Sequence, residues 1–316
     1  MRILVELPTW LGDSVMVAPA LENLISFHKD SEVILLGSTT SIEIFKNHPH
    51  VSQIRVLDKK YLSISNLARR LGKFDKFFSF RGSLRSNIFK FFISSSFKYQ
   101  YKKSDFQNCH QVEKYNNFIN KSLNTEFSAG ELNIYPDNSL KEKSNLNRKK
   151  LPMLGINPGA SYGSSKRWYP EEFANVAAKL SSQFDITILG GPTEKEIAMD
   201  IQNLLEKKGI KNYQNLSGRL NISELILCIS NFDLFITADS GPMHIAASFQ
   251  VPTVSIFGPT RDNETSQWLN RKSIIVKKNL DCQPCMKRVC PLKHHNCMKL
   301  IKAKDILVEV ESLNSL

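Results

Sequence analysis

The chain has 316 residues, 41% hydrophobic and 23% charged, which is long enough for two α/β domains of ordinary size and too apolar for a disordered polymer. Its formal net charge of +12 calls for an anionic partner, whether nucleic acid, an anionic membrane surface or an acidic substrate. Nucleic acid is disfavoured because no recognition-helix, RRM or zinc-knuckle pattern with interleaved aromatics accompanies the charge. No stretch reaches the roughly 18 apolar residues that span a bilayer. Glu6, Pro8, Gly12 and Asp13 break the apolar core that a signal peptide needs, so a cytoplasmic chain is expected.

Residues Arg2 to Leu7 read as a strand, followed by the loop Pro8-Thr9-Trp10-Leu11-Gly12-Asp13-Ser14. The helix after it shows Val17, Leu21, Leu24 and Ile25 on one face, with Pro19 tolerable only near its beginning. Asp13 stands at the strand-to-helix junction, where open α/β sheets place their ligands, or else it is an N-cap. No G-x-G-x-x-G is present, so a dinucleotide fingerprint is not supported. Further on, the apolar run Phe77 to Phe80 leads into Arg81-Gly82-Ser83-Leu84-Arg85-Ser86. Basic residues gather here, from Arg69, Arg70, Lys73 and Lys76 through Lys90, Lys98, Lys102 and Lys103, interleaved with Phe89, Phe91, Phe92, Phe97, Tyr99 and Tyr101. Either this is a solvated basic face or it meets an anion. The polar, basic segment Pro136 to Pro152 reads as an interdomain linker.

The second half repeats the strand–loop–helix pattern. A short strand runs into Asn157-Pro158-Gly159-Ala160-Ser161-Tyr162-Gly163-Ser164-Ser165-Lys166-Arg167-Trp168, and a helix starts at Pro170. Backbone and hydroxyl donors beside a cation suit an oligophosphate, although the Walker spacing is absent; the alternative is a plain surface loop. A helix over 171–182 precedes the strand Ile186 to Leu189 and the turn Gly190-Gly191-Pro192. Next, the apolar run Leu234 to Ile236 meets Asp239-Ser240-Gly241-Pro242, with His244 in the first turn of a small-residue helix. Ser240 and Gly241 let backbone N–H groups approach a phosphate at the positive end of that helix, and Pro242 suits its start. Alternating strands and amphipathic helices throughout argue for parallel sheets. Finally, Cys282, Cys285, Cys290 and Cys297 form a C-x2-C-x4-C-x6-C cluster, with His294 and His295 nearby. Four such thiolates suit a closed, structural zinc site; free thiols or oxidised pairs are the alternatives. Cys109 and Cys228 read as ordinary single residues, Cys228 on the apolar face of a helix.

Three blocks, "LPTWLGDSVMVAPAL", "NPGASYGSSKRWYP" and "TADSGPMHIAASFQVPTVSIFGPT", together resemble the family 9 glycosyltransferases over nearly the whole chain, most closely the ADP-heptose:lipopolysaccharide heptosyltransferases of the second type. The resemblance implies a GT-B fold, two Rossmann-like doubly wound domains facing a central cleft. Residues 1–150, with the basic linker at their end, would bind the acceptor; residues 151–316 would bind the nucleotide sugar, the last helix packing back on the first domain. It implies inverting transfer of the second heptose from ADP-heptose to the inner core of lipopolysaccharide, at the inner membrane and without a catalytic cofactor. Asp13 is the expected base. Lys166, with Ser161 and Ser164, would neutralise the departing diphosphate, while Ser240, Gly241 and the helix carrying Pro242 and His244 add donors. Asp239 and Glu194 are expected partners of the sugar hydroxyls or the ribose, Glu194 otherwise serving as helix N-terminal charge. Arg81 and Arg85 are the expected anion contacts for the acidic acceptor. The sequence contains no Asp-x-Asp to hold a catalytic metal. The alternatives are transfer of the first heptose or of another sugar, and a non-catalytic nucleotide- or glycolipid-binding relative.

Overall fold

The computed structural model describes residues 1–57, 62–137, 139 and 151–313, so most of the expected linker lies outside the described residues. The chain divides into two compact units, Met1–Pro136 and Asp137–Leu316. In the first, β1 (Arg2–Glu6), α1 (Leu11–Met16), α2 (Ala18–Phe27), β2 (Glu32–Gly37), α3 (Thr39–Glu43), β3 (Gln53–Val56), α4 (Leu62–Leu71), β4 (Lys73–Ser79), α5 (Leu84–Phe92), β5 (Ser94–Gln100) and α6 (Gln111–Leu123) follow in order. The strands form a parallel sheet in the order β3-β2-β1-β4-β5. Ile3, Leu4 and Val5 in β1 and Val33 to Leu36 in β2 are buried in unbroken runs, as strands covered on both faces must be. The pleat sends Phe77 onto Phe89 of α5 on one face, ring centroids 5.7 Å apart. Past the strand's end, Phe80 meets Tyr115 and Phe118 of α6 at 5.5 and 5.3 Å.

The single helix expected after Asp13 is two helices that meet at Val17, with Pro19 in the first turn of α2. Pro19 has no N–H to continue the first helix, so a new one begins where that N–H is not needed.

The second unit comprises β6 (Met153–Asn157), α7 (Pro170–Leu180), β7 (Asp185–Ile188), α8 (Lys195–Lys207), β8 (Tyr213–Asn215), α9 (Ile222–Ser230), β9 (Leu234–Ala238), α10 (Gly241–Ser248), β10 (Thr253–Ile256), α11 (Asp262–Thr265), β11 (Ser273–Val276), α12 (Asn296–Lys299) and α13 (Ala303–Leu313). Its parallel sheet runs β11-β10-β9-β6-β7-β8. Both sheets are doubly wound. Strand order reverses between β1 and β4 in the first and between β6 and β9 in the second, and the carboxyl ends of those pairs are where such sheets hold ligands. Trp168 is fully buried in the second core and donates from Nε1 to the Ile301 carbonyl at 3.0 Å. The last helix buries its apolar face inside its own unit: Ile306, Val310 and Leu313 share a core with Trp168 and Phe173. Cys228 is buried on α9, as its position in an apolar stripe implies.

Gly155, in the centre of β6, lies against the Phe232 ring so closely that an added Cβ would collide with it. Gly155→Ala is therefore expected to lower stability by about 1–3 kcal/mol through overpacking, read as a shifted urea midpoint; an unchanged midpoint would show that the ring has room to move.

Candidate active site

At the reversal point of the first unit, Asp13 is the third residue of α1. The N-cap is Trp10, which has extended backbone and makes no side-chain cap bond. Asp13 is thus not the N-cap but an acid in the first turn, favourably placed at the positive helix end. The Tyr115 hydroxyl, from α6, donates to Asp13 Oδ1 at 3.2 Å. Burial, and then the charge of Asp13, push the Tyr115 hydroxyl well above its ordinary pKa, so it remains a donor and fixes the orientation of the carboxylate.

At the end of β1, Glu6 is fully buried. Ser79 Oγ and Ser86 Oγ donate to its Oε2 at 2.6 and 2.5 Å, and Arg81 Nη1 lies 3.5 Å from Oε1. Burial raises the Glu6 carboxyl above the usual range, opposed by both serines and by the charges of Arg81 and Arg85. Arg81, expected to face an acidic acceptor, therefore has an internal partner, and its side chain is only 15% exposed. Arg85 is half-buried beside it.

The second unit brings its two loops together at the β6–β9 pair. Asn157, the last residue of β6, is buried and donates from Nδ2 to the Gly159 carbonyl at 3.2 Å, to Thr237 Oγ1 at 3.3 Å and to Ser240 Oγ at 3.0 Å. Lys166 Nζ pairs with Asp239 Oδ2 at 2.5 Å, and Thr260 Oγ1 donates to the same oxygen at 2.5 Å. Asp239, expected to meet a sugar or ribose, is thus the partner that aims Lys166. Glu194 is buried, accepts from the Gly191 N–H at 2.7 Å and rests against Gly159, so its helix-terminal role is realised beside the loop. Ser161 and Ser164 are exposed on that loop. Ser240 caps α10 through its backbone alone, Gly241 and Pro242 open the helix, and His244 is buried one turn in.

Sequence reasoning missed Asn157, Thr260, Tyr115 and Glu6. A signal for Asn157 was available: it ends the first strand of a doubly wound unit, next to the strand that precedes Ser240.

A second segment braces the first loop. The Tyr162 hydroxyl donates to the Met286 carbonyl at 2.7 Å, Ser165 Oγ to Lys287 at 2.5 Å and the Ser165 N–H to Arg288 at 3.1 Å. His295 Nε2 donates to the Ser165 carbonyl at 2.8 Å and its Nδ1 accepts from Tyr169 at 3.2 Å. Gly163 abuts the Arg288 carbonyl with no space for a Cβ. This brace is built from the cysteine segment. Cys282, Cys285, Cys290 and Cys297 are free thiols lining one cavity of about 20 Å³ with His294 and His295. Burial, then its cysteine neighbours, push the Cys297 thiol up to about 11. Among the described residues, however, no three His, Cys, Asp or Glu side chains are placed to hold a metal ion together.

Because Lys166 and Asp239 are 12% and 4% exposed, removing one leaves the other largely buried without its opposite charge. Lys166→Ala is expected to cost about 3 kcal/mol, and adding Asp239→Asn to recover most of it. Simple additivity of the two losses in urea unfolding would show that they are not coupled.

Residues 64–296 match the family model Glycosyltransferase family 9 (heptosyltransferase). Over 316 residues, covering 99% of this chain and 98% of the relative, the sequence is 40% identical to lipooligosaccharide heptosyltransferase 2 of Campylobacter jejuni serotype O:2. Among solved structures, E. coli ADP-heptose lps heptosyltransferase II superimposes with a TM-score of 0.83 at 18% identity, covering 99% of this chain and 98% of that one. A glycosyl transferase family 9 protein of Veillonella parvula gives 0.84 at 22% identity, covering 99% and 96%. The shared fold is GT-B, built from two doubly wound units. The family match begins beyond Asp13, whereas the alignment with the Campylobacter relative takes in nearly the whole chain. On this footing the chain belongs to glycosyltransferase family 9.

Proposed function

We propose that this protein transfers a heptose from ADP-heptose to the inner core of lipopolysaccharide or lipooligosaccharide, adding the second heptose with inversion and without a catalytic metal. The identity to a full-length relative named for lipooligosaccharide heptosyltransferase 2 supports the substrate class. The observation that carries the chemistry is Asp13, a carboxylate oriented by a buried tyrosine at the reversal point of a doubly wound sheet.

The acceptor hydroxyl attacks the anomeric carbon from the face opposite the diphosphate, and Asp13 takes its proton as the new bond forms. The bond to the ADP oxygen breaks, which inverts the configuration. Charge collects on the leaving diphosphate, where Lys166, the loop of Ser161 and Ser164, and the N-terminus of α10 at Ser240 and Gly241 are suited to receive it. Pro242 and His244 shape that helix start, and Asp239 and Glu194 hold the loops in place. Neutralisation by lysine and helix dipole fits a sequence that lacks Asp-x-Asp. In this reading residues 1–150 serve the acceptor, with Arg81 and Arg85 supplying positive charge, and residues 151–316 serve the donor. The protein works at the cytoplasmic side of the inner membrane, and no described helix is long and apolar enough to cross it. Nucleic acid is not a partner.

A structural zinc at the four cysteines is a separate proposal, supported by their spacing and common cavity, and it requires the thiols to close in. Metal analysis of purified protein decides it: a full equivalent of zinc supports the site, and a trace overturns it.

The transfer reading is tested by mass spectrometry of a core acceptor bearing one heptose after incubation with ADP-heptose. Wild-type protein is expected to add one heptose. Asp13→Ala should slow transfer on the order of 10²–10⁴-fold while still binding ADP-heptose in calorimetry, and near-normal turnover would retire Asp13 as the base. Activity should persist in EDTA; loss on brief chelation that Mg²⁺ or Mn²⁺ restores would overturn the metal-free mechanism.

A further inference from the structure

Helix α5 carries two apolar stripes. Phe89, with Ser86 before it and Ile93 just past the helix end, faces the core and is buried. The other stripe joins Leu84 and Phe91 at i and i+7, with Phe92 at its end, while half-buried Ile88 between them also packs against the core. Leu84 is 72% exposed, Phe91 79% and Phe92 45%. The two phenylalanine rings stack edge to face at 5.3 Å, forming one apolar knob. An outward stripe this apolar on a surface helix marks a contact surface.

Its electrostatic setting is one-sided. From residue 62 to 104 there are ten Lys and Arg against a single acid, Asp75, and Asp75 Oδ2 accepts the Arg2 N–H at 2.7 Å. Helix α4 packs beside α5 through a shared core. Both helices run back against the parallel strands, so both end at the edge where the strands begin. Exposed Arg69, Arg70 and Lys73 therefore lie at the same edge as Phe91 and Phe92. Lys98, from the edge strand β5, reaches the end of α5 and donates from Nζ to the Lys90 carbonyl at 2.9 Å. Phe97 is also exposed but sits on the opposite face of β5 from Lys98, so it belongs to a different surface.

We propose that the outer face of α5 docks on an anionic bilayer, with Leu84, Phe91 and Phe92 entering the headgroup–acyl boundary. Arg69, Arg70, Lys73 and Lys90 lie over the anionic headgroups. An apolar stripe rimmed by cations with long aliphatic stems is the chemistry that an anionic interface selects. Each such cation strengthens binding about fivefold, and the apolar side chains add a second signal that charge alone does not supply. A polyanion in solution would engage the cations but leave Leu84 without a role. The docking stands apart from the transfer reaction, because it is read without donor or acceptor.

The test is flotation with vesicles of phosphatidylcholine mixed with phosphatidylglycerol, against vesicles of phosphatidylcholine alone. Wild-type protein is expected to float with the anionic vesicles only, and less as ionic strength rises. The double variant Phe91→Ser, Phe92→Ser should lose at least about tenfold in affinity, with far-UV circular dichroism and the unfolding midpoint unchanged. Should that variant fold poorly, Leu84→Ser alone carries the same expectation. Arg69→Gln with Arg70→Gln should also lose more than about tenfold. Failure of the wild type to bind anionic vesicles at low salt, equal binding to both vesicle types, or wild-type binding by the folded serine variants would each overturn the proposal. So would serine variants that lose self-association in light scattering, or binding to single-stranded DNA, while keeping vesicle binding.

Discussion

The two sheets of this protein share one constraint. A parallel strand must be followed by a right-handed crossover, so when strand order turns back on itself, the loops leaving two neighbouring strands go to opposite faces and part above their carboxyl ends. Between β1 and β4 the parting falls at Glu6 and Ser79, and between β6 and β9 at Asn157 and Thr237, all four of them buried. Buried polar side chains at such ends must find their hydrogen-bond partners there. The sequence meets this demand with short polar residues: Ser79 and Ser86 around Glu6, and Asn157, Thr237 and Ser240 around one another. Asn157 matters most, because a single amide ties the start of one loop to the start of the other.

Both reversal points also hold a buried acid against a cation. Lys166 is oriented by Asp239, and Arg81 by Glu6. A long basic side chain loses rotamer freedom when it meets a ligand, and a buried acid imposes part of that loss during folding. The acid also tempers the cation's charge, so an arriving phosphate shares the lysine with Asp239 rather than meeting it bare. Among the described residues, Arg69, Arg70, Lys73 and Lys90 around α5 show no such buried acid. One chain thus carries positive charge in two forms, clamped at the sheet ends and loosely solvated on the outside.

Much of this was legible in the sequence. The three strand–loop–helix junctions could be read because glycine, proline and serine mark them locally, and strand and helix periods are local as well. The contacts that make them a site were not legible, because they join distant positions: Tyr115 with Asp13, Thr260 with Asp239, Met286 with Tyr162. By sequence Arg81 reads as an outward cation, since nothing nearby announces Glu6 as its partner. The surroundings of the last helix are not legible for the same reason, as its amphipathic pattern fixes which face is buried but not against what. Four cysteines at close spacing suggest a closed metal set, but spacing along a loop does not dictate where thiols point; the fold gathers them around one small cavity.

The brace on the loop of Tyr162 and Ser165 has a consequence for the order in which the second unit is completed. The carbonyls that hold this loop belong to Met286, Lys287 and Arg288, and the core beneath it waits for Ile301, Ile306 and Val310. A ribosome makes the loop first and its supports more than a hundred residues later. Through that interval the nascent unit has its central strands but neither the clamp nor the closing helix, and apolar surface stays uncovered. The first unit has no such dependence, since its described core is drawn from residues before Pro136. Synthesis therefore delivers a finished half early and a second half that closes only once α13 has emerged.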